Sequence, residues 1–189
     1  MQKISLATAL FLTTFANIAA ANTYTMDPKH TFVTFEIPHM ATSTNRGRFD
    51  RKEGTVEYDR AAKTGKVKFT LYPDSITTGT PILDKIISGN EVFDTAKFPT
   101  VQFVSDKFTF SGDKVTEVSG QLTMLGKTLP VVLKSTLFNC YQNGMLKKEV
   151  CGGDFETWIK RSDWGVTYAL NYGFADTIRL LIQVEAIKD

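Results

Sequence analysis

The chain is poor in the residues that most often carry chemistry. Its 189 residues include only two His, two Cys and two Trp. His30 and His39 stand nine positions apart, so one regular strand would face them oppositely. No HxH, HExxH or CxxC pair occurs. A zinc site, which needs three or four converging ligands, therefore has no sequence support, and none is expected. There is no GxSxG elbow, no P-loop and no GxGxxG fingerprint. Serine-hydrolase chemistry and a nucleotide cofactor lose their usual signatures with them. Charge of one sign is also scarce, since the net charge is +2. Nucleic-acid binders carry a concentrated basic face, so no nucleic-acid partner is expected. Pro/Ser-rich linkers, internal repeats and long charge runs are missing too. The length then fits one domain with a sizeable core of its own.

The start of the chain reads as an export signal. Lys3 is followed by an uncharged, mostly apolar run over 4–20 and by Ala19-Ala20-Ala21. That pattern predicts a signal peptide over 1–21, cut after Ala21, with the domain over 22–189. A retained anchor helix is the alternative reading of the same run. No Cys stands near the cut, which argues against a lipoprotein. No second apolar run approaches spanning length. In an oxidising compartment Cys140 and Cys151 read as a disulfide, contributing about 2–3 kcal/mol in a chain-entropy account. Asn143-Gly144 complicates that pairing, because a two-residue hairpin there would set Cys140 opposite Lys147. Either the turn is longer or the bridge spans a distorted end.

The rest reads as strand after strand. Period-two alternation marks 31–39, 54–59, 66–72, 100–108, 115–124, 129–138, 155–160 and 177–187, with short turn-rich connections between most of them. Eight is the strand count at which a closed barrel can hold side chains or one small ligand. One segment differs. Ile82, Leu83, Ile86 and Ile87 have helical spacing, with Thr80 as expected N-cap, Pro81 at the start and Gly89 as the stop. This helix is expected to pack on or plug one barrel end.

The alternation assigns faces. Val33, Phe35 and Ile37 share one face, as do Val67, Phe69 and Leu71, then Phe155, Thr157 and Ile159, then Ile178, Leu180, Ile182 and Val184. Two interiors satisfy that pattern: side chains that fill the barrel, or a dry pocket for an apolar ligand. Arg46, Arg48, Arg51 and Lys52 form a basic cluster. It reads either as a solvated loop partly neutralised by Asp50 and Glu53, or as a rim for an anionic headgroup. His30 is expected to hydrogen-bond a loop, and His39 to mark a strand end.

The order of motifs resembles the YceI-like family. The resemblance begins with Tyr24-x-x-Asp27-x-x-His30-Thr31-x-Val33-x-Phe35-x-x-x-His39, then Gly47-x-Phe49, Gly54 and Val56. It continues through Ser75-Ile76-x-Thr78-Gly79, Asp84, Phe93-Asp94 and Phe98-Pro99-x-Val101-x-Phe103-x-Ser105. Gly120-x-Leu122-Thr123-x-Leu125-Gly126 and Arg161-Ser162-Asp163-Trp164-Gly165 complete it. The resemblance implies an all-β fold, an antiparallel eight-stranded lipocalin-like barrel with a short helical insertion. It also implies a Gram-negative periplasmic protein enclosing a long apolar ligand of polyisoprenoid, quinone or fatty-amide type. The Cys pair lies outside the family pattern.

On that reading the expected tunnel lining is Val33, Phe35, Ile37, Val67, Phe69, Leu71, Phe103, Leu122, Leu133, Phe155, Ile159, Leu180 and Ile182. Asn45, Arg46, Arg48 and Arg161 are the candidates for holding a headgroup at the mouth. A second copy could close an apolar mouth, giving a homodimer. No catalytic residue is assigned. Two other readings stand beside this one: an enzyme acting on an isoprenoid-like substrate, with His39 and a neighbouring carboxylate as its only candidate, and a protein-binding module with a filled barrel.

Overall fold

The computed structural model describes residues 21–189. The candidate signal segment, apart from Ala21, lies outside the described residues. The strands are β1 (Asn22–Met26), β2 (Phe32–His39), β3 (Ser43–Phe49), β4 (Lys52–Asp59), β5 (Thr64–Leu71) and β6 (Ile76–Thr77). Helix α1 (Pro81–Ser88) follows, then β7 (Val101–Ser111), β8 (Lys114–Met124), β9 (Lys127–Asn143), β10 (Lys148–Lys160) and β11 (Thr177–Lys188). All pairings are antiparallel, and β1 returns to β11, which closes the sheet. The result is an eight-strand barrel in which three staves are broken in two: β1 runs on as β2, β3 as β4, and β5 as β6.

Each of the eight strand segments read from the sequence falls on its own stave. The missing halves are β1, β3 and β6. The sequence of β3 is Ser-Thr-Asn-Arg-Gly-Arg-Phe, which has no apolar alternation to reveal it. The basic cluster therefore lies on strands at Arg46, Arg48 and Lys52, with Arg51 in the connection between them. Gly47 belongs to β3 for a steric reason: a Cβ there would sit 2.5 Å from the Phe35 ring.

The β9–β10 hairpin resolves the conflict around the cysteines. Asn143 pairs with Lys148 and Cys140 with Cys151, so the turn holds four residues and not two. Asn143 accepts the Lys147 N–H at its carbonyl (2.8 Å), and its Oδ1 accepts the N–H groups of Met145 and Leu146 (3.0 Å each). Cys140 and Cys151 are disulfide-bonded directly across the strands, with Cα atoms 4.0 Å apart. At the other end of these strands the ladder runs only to Glu156–Lys134. Trp164 is buried beside that gap and donates from Nε1 to the Leu122 carbonyl (3.1 Å).

Helix α1 begins at Pro81 as expected, but the Thr80 side chain makes no capping bond. The Asp84 carboxylate instead accepts from Thr78, at 2.7 Å from N and 2.6 Å from Oγ1. Leu83, Ile86 and Ile87 turn toward the barrel interior, while Ile82 is exposed. The helix caps the end where β6, β7, β8, β9 and β11 begin or finish.

Candidate functional site

The barrel interior is not filled. A cavity of about 290 Å³ runs along its axis, near the low end of the ~300–1,000 Å³ typical of small-molecule pockets. Its wall is almost entirely carbon. The structure places on it Val33, Phe35, Ile37, Val67, Phe69, Leu71, Phe103, Leu122, Leu133, Phe155, Ile159, Leu180 and Ile182. Period two accounts for this, since alternate residues of a stave face one way.

An aromatic floor closes the end away from α1. Tyr58 packs against Tyr24 (6.4 Å between centroids), Phe138 (5.7 Å) and Phe110 (6.2 Å). The disulfide lies nearby, with Cys151 and Gly152 on the cavity wall. Both phenols send their polar tips out of the cavity. Tyr24 Oη donates to Glu149 Oε1 (2.6 Å) and Tyr58 Oη to the Asp113 carbonyl (3.2 Å). Burial, and then the bond to Glu149, hold the Tyr24 phenol well above the usual tyrosine range.

The helix end is built from pieces that strand periodicity does not announce. Leu83, Ile86, Ile87, Val92 and Phe93 line the cavity on one side. Val166, Tyr168 and Phe174 line it on the other, from the segment 161–176. Phe93 packs edge-on against Phe49 (5.7 Å), and Phe174 against His39 (5.0 Å). Tyr168 both lines the cavity and is 37% exposed. The helical spacing of 83, 86 and 87 signalled part of this group. Nothing in the sequence pattern signalled Tyr168 or Phe174.

The four headgroup candidates separate into two pairs. Asn45 and Arg161 line the cavity. Arg46 and Arg48 face outward from β3, as alternation with Asn45 and Gly47 requires. Arg46 donates to Glu36 (2.7 Å) and Arg48 to Asp50 (2.7 Å). Arg48 also lies over the Phe32 ring at 4.7 Å. The rest of the cluster is similarly engaged. Arg51 donates to both oxygens of Asp74, and the buried Lys52 ammonium sits 4.4 Å from the Phe32 ring centroid. Glu53, expected to neutralise the cluster, instead accepts from Tyr72 Oη (2.7 Å).

Arg161 is the one guanidinium buried at the cavity among the described residues. It is 7% exposed. Nε donates to the Ala175 carbonyl (3.0 Å), and Nη1 to the carbonyls of Tyr168 (2.8 Å) and Val166 (3.3 Å). Burial lowers its pKa, partly opposed by Asp176. Asp176 is itself taken up by Ser162, accepting from its N–H (2.9 Å) and its hydroxyl (2.7 Å). His30 Nδ1 donates to the Asp27 carboxylate (2.7 Å) in a loop, as expected, and His39 ends β2.

Comparison with known proteins gives a consistent picture. The model of the YceI-like domain matches residues 24–186. The YceI protein of Salmonella newport is 31% identical over 181 residues, covering 95% of this chain and 93% of its own. A UPF0312 protein of Pseudomonas syringae pv. tomato is 36% identical over 136 residues, covering 70% and 69%. Among solved structures, the YceI protein of Campylobacter jejuni superposes with a TM-score of 0.66 at 24% identity, covering 81% of this chain and 90% of that one. A polyisoprenoid-binding domain from Saccharophagus degradans superposes with a TM-score of 0.61 at 13% identity, covering 90% and 100%.

Proposed function

The chain belongs to the YceI-like family, and from that premise we propose that it is a periplasmic binding or carrier protein for a long apolar chain. The ligand class is a polyisoprenoid, an isoprenoid quinone or a fatty amide. The observation that carries this reading is the cavity itself: an unfilled, carbon-walled channel from the Tyr24–Tyr58 floor to the α1 end. Such a channel suits a hydrocarbon chain, because each buried methylene contributes about 0.8 kcal/mol without any directed bond. The polyisoprenoid-binding domain from Saccharophagus degradans supports the ligand class through its shared fold. Placement in the periplasm rests on the charged start, apolar run and Ala19-Ala20-Ala21 of the N-terminal segment. A ligand head would lie at the α1 end, near Asn45 and Arg161. The role is binding, with no catalytic residue assigned.

The test is mass spectrometry of an organic extract from the natively exported protein. A stoichiometric long-chain lipid is expected, and its mass names the chain. A blank extract that stays blank after incubation with membrane lipids would overturn the carrier reading in favour of a partner-binding barrel.

A further inference from the structure

Arg161 gives the cavity a chemical preference that its apolar walls do not. A guanidinium has five N–H donors and no acceptor. In Arg161, Nε and Nη1 are committed to three backbone carbonyls, and among the described residues Nη2 has no acceptor. No carboxylate lies within ion-pair distance of this guanidinium among the described residues, and the nearby Asp176 is engaged by Ser162. The outward arginines differ: Arg46, Arg48, Arg51 and Arg179 each have a carboxylate partner. So the least exposed of these arginines is the one without a counter-charge, and it lines the cavity.

Burying a charge without a partner costs several kcal/mol. Three carbonyl dipoles offset part of that cost. They do not cancel the net charge, and they leave Nη2 free to donate. Asn45, also on the cavity wall, can donate from its amide as well.

We infer that Arg161 selects an oxyanion at the end of the bound chain, a carboxylate or a phosphate monoester, held at the α1 end by Nη2. This inference rests on the reading of the cavity as an apolar-chain site. It adds that the head must accept hydrogen bonds and carry negative charge. A charge-assisted hydrogen bond is roughly twice as strong as a neutral one. An amide or quinone carbonyl would satisfy Nη2 without neutralising the guanidinium.

Four probes with a common eighteen-carbon chain separate the alternatives: oleate, oleyl phosphate, oleamide and octadecene. Dissociation constants are measured on the delipidated full mature protein, below the micelle concentration of each probe. Oleate or oleyl phosphate is expected to bind at least ~10-fold more tightly than oleamide and octadecene. The tighter of the two names the source of the oxyanion. In Arg161→Gln the affinity gap between the anionic and the uncharged probes should close to within about two-fold, and Arg161→Lys should keep part of it. Because Arg161 also braces the carbonyls of 166, 168 and 175, circular dichroism checks each variant, and the wild-type series stands without them. Equal affinity for all four probes, or a preference unchanged in folded Arg161→Gln, overturns the inference and leaves the carrier reading intact. Failure of every probe to bind overturns both.

Discussion

Thr31 and Glu185 exchange two hydrogen bonds through a single hydroxyl. Thr31 Oγ1 donates to the Glu185 carbonyl (3.2 Å) and accepts the Glu185 N–H (3.3 Å). Thr31 is fully buried, at the break between β1 and β2. There β11 loses its strand neighbour for the length of the 27–31 loop, and the hydroxyl stands in for the ladder. Thr31→Val keeps the shape and removes both bonds, leaving the Glu185 N–H without a partner while its carbonyl keeps the Asp27 N–H (2.9 Å). The expected loss is about 1–3 kcal/mol. It should appear as a thermal midpoint lower by ~2–4 °C per kcal/mol. An unchanged midpoint would mean that the barrel closes by other contacts.

Gly153 is fixed by backbone approach. A Cβ there would lie 2.1 Å from the Leu137 carbonyl oxygen, a main-chain atom that cannot rotate away. Gly153→Ala should therefore cost at least ~3 kcal/mol, a size reached by few single substitutions. Chemical denaturation measures it. A variant as stable as the parent would show that β9 and β10 can separate freely at this point.

Tyr24 makes stability fall at alkaline pH. Its phenol titrates higher in the folded protein than the ordinary value of 10.0, through burial first and the Glu149 bond second. The neutral form is thus favoured by folding. Its contribution is complete below pH 10 and is lost as pH rises from there through the folded pKa. Tyr24→Phe should shallow the alkaline decline and cost about 1 kcal/mol at neutral pH. Tyr72, also raised through its bond to Glu53, leaves a residual slope. Stability curves between pH 8 and 11 for the two proteins decide it.

His30 and Asp27 act at acidic pH. The bond and charge of Asp27 raise the His30 pKa from 6.5. Asp27 titrates below 3.8, because its bonds to His30 and Lys29 outweigh the opposing effect of burial. The His30 contribution is present below pH 6.5 and fades as pH rises through its folded pKa. That of Asp27 is present above 3.8 and fades as pH falls. The pair therefore helps most between those limits. Proton NMR titration of His30 should give a value above 6.5 that falls back in Asp27→Asn. Equal values in the two proteins would show that the contact is not made in solution.

Phe69 lies in the cavity wall on β5, facing Phe103 on β7. Phe69→Asp or Leu71→Asp puts a carboxylate in an apolar channel, and retention of co-purified lipid should fall at least ~10-fold. Phe69→Leu should retain it. Full retention by a folded Asp variant would place the lipid outside the barrel.

Much of the wall could be read directly. Val67, Phe69 and Leu71 alternate with Lys68 and Thr70, and such alternation dictates facing wherever the strand lies in a barrel. Val33, Phe35 and Ile37 are equally plain. Asn45, Gly47 and Phe49 share the same facing on β3, yet a strand of Ser, Thr, Asn, Arg and Gly carries no hydrophobic period. It became a strand because β2 and β6 supply its hydrogen bonds and Glu36 and Asp50 pair its arginines. Arg46 and Arg161 were equal headgroup candidates by residue type. The neighbours of each separated them: Glu36 for Arg46, and backbone carbonyls for Arg161.

The strand class, the apolar faces and the position of the helix were legible along the chain, because each follows from spacing within a few residues. Tertiary structure decided the rest. Whether inward side chains meet across the barrel or leave a void depends on strand tilt and register summed around eight staves, which no local pattern encodes. The closure of β11 on β1 and the burial of one uncompensated arginine at the cavity end arise from contacts between segments far apart in the chain. Their energies exist only once the barrel is closed.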